Sequence, residues 1–144
     1  MKMEICRVTK CDDSLVRAFE RLLPQLSSSA QVPTEEYVTH LLASENMYLL
    51  VAKEDGGEIV GMLSLVVVDI PTGRKAWIED VVVDAEHRGC NIGALLVDKA
   101  VEIARAASAK RIYLTSNPSR QAAHALYRKC GFESYDTVVF RRSL

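Results

Sequence analysis

Ala76-Trp77-Ile78-Glu79-Asp80-Val81-Val82-Val83-Asp84-Ala85-Glu86-His87-Arg88-Gly89-Cys90-Asn91-Ile92-Gly93-Ala94-Leu95-Leu96, continued by an amphipathic run to Ala107, decides the fold. Its first part, residues 77–83, is β-branched and aromatic, which predicts a largely buried strand. Its last part sets Ile92, Leu95, Leu96, Ala100, Ile103, Ala104 and Ala107 at helical spacing, with Asp98, Glu102 and Arg105 off that stripe. A polar loop containing Arg88, Gly89, Asn91 and Gly93 joins the two.

A small-residue loop entering a helix leaves backbone N–H groups unpaired at the positive end of the helix dipole. Such a place suits a phosphate or pyrophosphate, and Arg88 adds a forked cationic donor. The plain alternative is an ordinary strand-to-helix turn. Two phosphate loops are excluded. Gly93 is followed by Ala94 and Leu95 rather than Lys-Ser/Thr, so there is no P-loop. Arg88 to Ala94 holds two glycines, not the three of a dinucleotide fingerprint.

At 144 residues, with 49% hydrophobic and 26% charged residues, the chain reads as one soluble domain spanning 1–144. A net charge of −1 gives no bulk attraction to nucleic acid or to an anionic membrane. No apolar run approaches the roughly 20 residues that span a bilayer. Residues 1–10 lack the apolar core of a secretory signal, so a cytoplasmic location is expected. Cys6, Cys11, Cys90 and Cys130 form no Cys-x-x-Cys pair and no zinc-finger spacing with His, so reduced thiols and no metal are expected.

Reading outward, residues 4–9 alternate as a first strand. Asp12 or Asp13 caps a helix bearing Leu15, Val16, Phe19, Leu22 and Leu23 on one face, ended by Pro24. Pro33-Thr34-Glu35-Glu36 starts a second helix that buries Tyr37, Val38, Leu41 and Leu42. Strands follow at 47–53 and 58–68 around a 54–57 hairpin turn, and Pro71-Thr72-Gly73 leads into the Trp77 strand. After the central helix come a strand at 111–115 and a helix opened by Asn117-Pro118-Ser119 and closed by Gly131. A hairpin of 132–135 and 137–142 ends the chain. The order β-α-α-β-β-β-α-β-α-β-β predicts a mixed α/β sheet with helices on both faces.

This pattern resembles the GNAT superfamily, the Gcn5-related N-acetyltransferases, over nearly the whole chain. Arg88-Gly89-Cys90-Asn91-Ile92-Gly93 is similar to that family's acyl-CoA loop, with Asn91 where a glycine is usual. Asn is the non-glycine residue most tolerant of left-handed backbone, so the loop can still form. The second motif runs from Asn117 through Ala122, Ala123, Leu126 and Tyr127 to Cys130-Gly131-Phe132. The resemblance implies the N-acyltransferase fold and acetyl-CoA as co-substrate. It places the pyrophosphate on Arg88, Gly89, Cys90, Asn91, Ile92, Gly93 and Ala94, the pantetheine arm beside Val81, Val82 and Val83, and Asn117 near the far end of that arm.

Acetyl transfer needs a neutral amine, and deprotonating an alkylamine at pH 7 costs roughly 4 to 5 kcal/mol. A strand carboxylate can take that proton, and the resemblance assigns the task to Glu79. Alternation sends Glu79 and Asp80 to opposite faces, so only one is expected to reach the substrate; Asp80 is the other candidate for base or substrate binder, and the plain alternative for Glu79 is a carboxylate that binds the amine or pairs with Arg88. Tyr127 is the acid expected to protonate the departing thiolate, against the alternative of a core tyrosine. Direct attack by a primary amine of a small molecule or peptide follows.

The acceptor site is expected between the first two helices, the 26–32 loop and the 70–75 turn. Likeness to glucosamine-6-phosphate N-acetyltransferases suggests an amino-sugar phosphate held by Arg74 and Lys75. A non-catalytic acyl-CoA-binding module is the rival from another class. His87 reads as a solvated loop side chain. A homodimer through a sheet edge or the closing hairpin is compatible with the pattern.

Overall fold

Alternating apolar residues build β1 (Met3–Val8), which opens the computed structural model; the structure describes residues 2–144, and Met1, which begins the stretch read for a secretory signal, lies outside the described residues. Asp12 caps α1 (Asp13–Leu26) by accepting from the Leu15 N–H at 2.9 Å, and Thr34 caps α2 (Glu35–Leu42) through the Tyr37 N–H at 3.1 Å. Three antiparallel strands follow, β2 (Met47–Glu54), β3 (Ile59–Ile70) and β4 (Gly73–Val83). A 3₁₀ turn (Ala85–His87) leads through the polar loop to α3 (Ile92–Ala106), then β5 (Ile112–Tyr113) and α4 (Gln121–Lys129). The sheet has five strands in sequence order, antiparallel except for the parallel β4–β5 pair.

Each face of the sheet buries its own core. Leu50, Leu63, Leu65, Ala76 and Ile78 pack with Ile92, Leu96, Val97 and Ala100 of α3. Leu49, Val51, Met62 and Val82 pack on the other side with Leu15, Ala18, Phe19 and Leu22 of α1 and Val38 of α2. Helices on both faces of a mixed sheet are what the element order predicts. At Gly61, α3 lies so close that an added Cβ would meet Ile92 Cγ2 at 3.1 Å and Leu96 Cδ1 at 3.2 Å.

Four expectations need correcting. Pro24 does not end α1, which runs on to Leu26. Pro24 is exposed, so the carbonyl one turn back that loses its partner can turn to water. Tyr37 is not buried but 58% exposed, since on so short a helix only Val38 points squarely at the sheet. Asn117-Pro118-Ser119 forms a turn of its own before α4: Asn117 Oδ1 accepts from the Ser119 N–H at 2.9 Å and the Ser119 hydroxyl at 2.8 Å. The closing hairpin is absent, for residues 132–144 form no strand and the sheet stops at β5. Gly131 does close α4. With φ +92° it lets the Phe132 N–H reach the Tyr127 carbonyl at 2.9 Å and its own N–H reach the Arg128 carbonyl at 3.0 Å.

Candidate active site

Strict alternation fails at one place in β4. Met62 pairs with Val82 but Ser64 pairs with Glu79, so Leu63 alone faces both Asp80 and Val81. This is a bulge, and Asp80 takes the strain with φ +50°. Its consequence is a change of phase. Ala76 and Ile78 lie on the α3 side before it, Val81 and Val83 after it. Glu79 and Asp80, expected on opposite faces, both line one cleft at the edge of β4, with Val81, Leu26, Ile78, Leu114, Thr115, Arg120 and Tyr127.

The cleft opens where β4 and β5 part. They pair only at Ala76–Ile112 and Trp77–Tyr113, held there by stacking of Trp77 on Tyr113 at 4.9 Å. Past that point the β5-facing edge of β4 has no strand beside it, from the bulge through Val81, Val82 and Val83. Free backbone groups along a strand are a pairing surface for an extended, amide-bearing arm.

Above Val83 begins the loop to α3. Gly89 (φ +86°) and Asn91 (φ +63°, ψ +18°) both adopt left-handed backbone. Asn91 is the helix N-cap yet makes no capping bond with its side chain, and the first helical bond is from the Leu95 N–H to the Asn91 carbonyl at 3.2 Å. The N–H groups of Ile92, Gly93 and Ala94 thus have no partner inside the helix. Arg88, Gly89, Cys90 and Asn91 flank them. A Cβ on Gly93 would lie 2.9 Å from Leu126 Cδ2, so the mouth of α3 rests directly against the residue before Tyr127. Loop and cleft are contiguous.

Burial raises the Glu79 carboxyl above its ordinary value, and the neighbouring Asp80 carboxylate raises it further. Burial likewise raises the Tyr127 phenol, partly offset by Arg120. Tyr127 packs edge-on against Phe132 at 6.2 Å, which fixes its ring from behind.

His87 departs from its expected role. Its side chain is 21% exposed and sits between the carboxylates of Glu54 and Asp84. Asp84, the buried charge of the fold, also accepts from Arg21 Nε at 3.2 Å and from the Glu86 N–H at 3.2 Å. Gln25 Oε1 accepts from the Ala85 N–H at 2.8 Å. This knot ties α1 to the chain just ahead of the loop.

Arg74 is spent elsewhere: its guanidinium grips Asp69 at 2.6 and 3.0 Å and donates to the Ala107 carbonyl. Lys75 lies over the Tyr113 ring at 5.3 Å. Neither lines the cleft, and of the elements expected to form the acceptor site only Leu26 does. Asn117 also keeps to its own turn. Arg120, Thr115 and Leu114 were missed by sequence reading. The signal for Arg120 was its place one helical turn ahead of Ala123 and two ahead of Tyr127, on the same face.

The sequence pattern of the acetyltransferase (GNAT) family matches residues 13–132. Glucosamine 6-phosphate N-acetyltransferase 1 of Oryza sativa subsp. japonica is 30% identical over 125 residues, covering 81% of this chain and 73% of that one. The plant's "Probable glucosamine 6-phosphate N-acetyltransferase 2" is 42% identical over 60 residues, 42% of this chain but 34% of that relative. An aminoglycoside acetyltransferase from an uncultured soil metagenomic sample superposes with TM-score 0.87 over 99% of this chain and 96% of its own, and at 22% identity it shows the shared fold. The chain belongs to the acetyltransferase (GNAT) family and is, by that membership, an acetyl-CoA-dependent N-acetyltransferase.

Among the described residues no helix is long and apolar enough to cross a membrane, and no three His, Cys, Asp or Glu side chains gather as a metal site. The four cysteines are free.

Proposed function

We propose that the chain transfers the acetyl group of acetyl-CoA to a primary amine of a small molecule or peptide, by direct attack within the cleft between β4 and β5. The observation that carries this reading is the cleft beside the bulge at Asp80, in which Glu79 and Asp80 line the same cavity as Tyr127. The pyrophosphate rests on the unpaired N–H groups of Ile92, Gly93 and Ala94, flanked by Arg88, Gly89, Cys90 and Asn91. The pantetheine arm pairs with the free edge along Val81, Val82 and Val83. When bound, acetyl-CoA supplies the activated thioester.

Glu79 accepts the proton of the ammonium, directly or through water, and its raised pKa brings it nearer the working pH. Asp80 holds the cationic amine at the same wall. The backbone N–H of Val81 faces the carbonyl oxygen, where negative charge develops. Tyr127, a phenol whose pKa burial raises further above neutrality, gives its proton to the thiolate.

A second reading, an amino-sugar phosphate acceptor, is supported by the two plant relatives. With Arg74 engaged by Asp69, the phosphate in that reading falls to Arg120, the cation among the cleft's lining residues. The test is release of coenzyme A on a panel of amines that includes glucosamine 6-phosphate, with Glu79→Gln as control. Turnover that Glu79→Gln lowers about 10²-fold or more supports the mechanism. Tight acetyl-CoA binding without turnover on any amine would make the chain a binding module instead.

A further inference from the structure

Two aromatic rings close the cleft at the end where β4 and β5 meet. Ala76, Ile78, Ile112 and Leu114 turn toward the α3 core, so Trp77 and Tyr113 stand on the other face of the sheet, the face of α1 and α2. Both are part-exposed and belong to neither core. They stack at 4.9 Å with ring planes 24° apart, across the last pair that β4 and β5 make. Glu79 follows Trp77 by two residues, about 7 Å along the strand, and its β3 neighbour is the small Ser64. A tryptophan and a tyrosine left part-exposed beside a reactive carboxylate make a recognition wall for a ligand with apolar area.

What else the cleft must hold decides which ligand that is. In the acetyltransferase reading the co-substrate's arm takes the free edge at Val81, Val82 and Val83, reached from the mouth of α3. Direct attack then requires the amine to approach Glu79 from the opposite end, over Trp77 and Tyr113. Lys75, two residues before Trp77, sets its ammonium 5.3 Å from the centre of the Tyr113 ring. The wall therefore runs from the carboxylates of Glu79 and Asp80 to a cation. A second ammonium on the acceptor would meet Lys75 and be repelled.

We propose that Trp77 and Tyr113 form the acceptor subsite, and that they select a primary amine borne on a ring, without a second cation, over open-chain amines and polyamines. The C–H or π surface of that ring lies against the two aromatic side chains, while its amine reaches Glu79 and Asp80. The direction of attack rests on the acetyltransferase reading, whereas binding of a ring amine at Trp77 shows itself without turnover.

Trp77 is the chain's one tryptophan, so its fluorescence reports on this wall alone. With free coenzyme A present, glucosamine or benzylamine should change the emission saturably, and butylamine or spermidine at the same concentrations should not. Tighter binding of glucosamine identifies the ring as a sugar, and tighter binding of benzylamine as an aromatic. In the coenzyme A release assay, kcat/KM for the better ring amine should exceed that for butylamine about tenfold or more. Tyr113→Leu keeps apolar bulk between the strands but removes the ring. It should erase that preference by raising KM for the ring amine rather than by lowering kcat, with the far-ultraviolet circular dichroism of the folded chain kept. Emission that no ring amine changes would overturn the proposal. So would butylamine turned over as well as the ring amines, or a Tyr113→Leu loss equal for both. Ring amines that titrate Trp77 while no amine is turned over would leave the subsite standing and remove the catalytic reading.

Discussion

Replacing Asp84 by Asn tests whether the knot beneath the loop holds the coenzyme site in place. The Asp84 side chain is 6% exposed and keeps Arg21 Nε at 3.2 Å, the Glu86 N–H at 3.2 Å, Gln25 Nε2 at 3.5 Å and His87 Nδ1 at 3.7 Å. Asn retains one acceptor, but its amide must set a donor against one of these donors. A charge-assisted bond is worth about 1.5–3 kcal/mol and a lost buried partner costs in that range again, while water reaches the one-third-exposed Arg21 and recovers part. The net loss should be about 2–3 kcal/mol. Unfolding 144 residues carries an entropy of about 0.3 kcal/mol/K, so Tm should fall about 7–10 °C.

The pH dependence of that difference has a definite sign. Burial raises the Asp84 carboxyl, but the Glu86 N–H, Gln25, Arg21 and His87 together outweigh it and leave the folded value below the ordinary one. A depressed folded pKa contributes stability that is present above the unfolded value, about 3.9, and lost as pH falls through the folded value. Urea titrations of both proteins should therefore diverge at pH 7 and converge in strong acid. Because the loop starts four residues on, acetyl-CoA binding should weaken as well, with kcat at saturation nearly kept. A difference under about 0.5 kcal/mol at pH 7, the size of an ordinary surface change, would refute the reasoning. So would one unaltered by acid.

Asp80→Asn keeps the left-handed backbone that Asn tolerates and removes the charge that raises Glu79, so the acid limb of the kcat/KM profile should move to lower pH; an unmoved limb would deny Glu79 the role of base. Tyr127→Phe should lower kcat about 10²-fold or more with acetyl-CoA affinity unchanged, as isothermal calorimetry beside steady-state rates would read. Gly93→Val pushes side-chain atoms into Leu126 and over the N–H groups meant for the pyrophosphate, so acetyl-CoA affinity should drop by tenfold or more while the far-ultraviolet spectrum holds; undiminished binding would put the coenzyme elsewhere.

What sequence alone carried was whatever depends on neighbours in the chain. The stripe from Ile92 to Ala104 and the β-branched run at 81–83 specify a helix and a strand by period alone. Asn91 could be assigned its left-handed backbone, and Gly131 its helix-ending one, because those conformations are local properties of the residue. The cap at Asp12 or Asp13 and the helix start at Pro33-Thr34-Glu35-Glu36 were legible for the same reason, and the structure makes Asp12 and Thr34 the caps.

Tertiary structure decided what depends on a distant partner. Where the alternation of β4 breaks, at Asp80, was fixed by how β4 meets Leu63 of β3, since a bulge is a mismatch between two strands and neither sequence contains it alone. Arg74 was lost to the site because Asp69 happens to lie opposite it across the hairpin, and His87 was drawn inward by Glu54 from the far end of β2. Residues 137–142 have the composition of a strand, but a strand exists only where another edge accepts its hydrogen bonds, and within this chain none does.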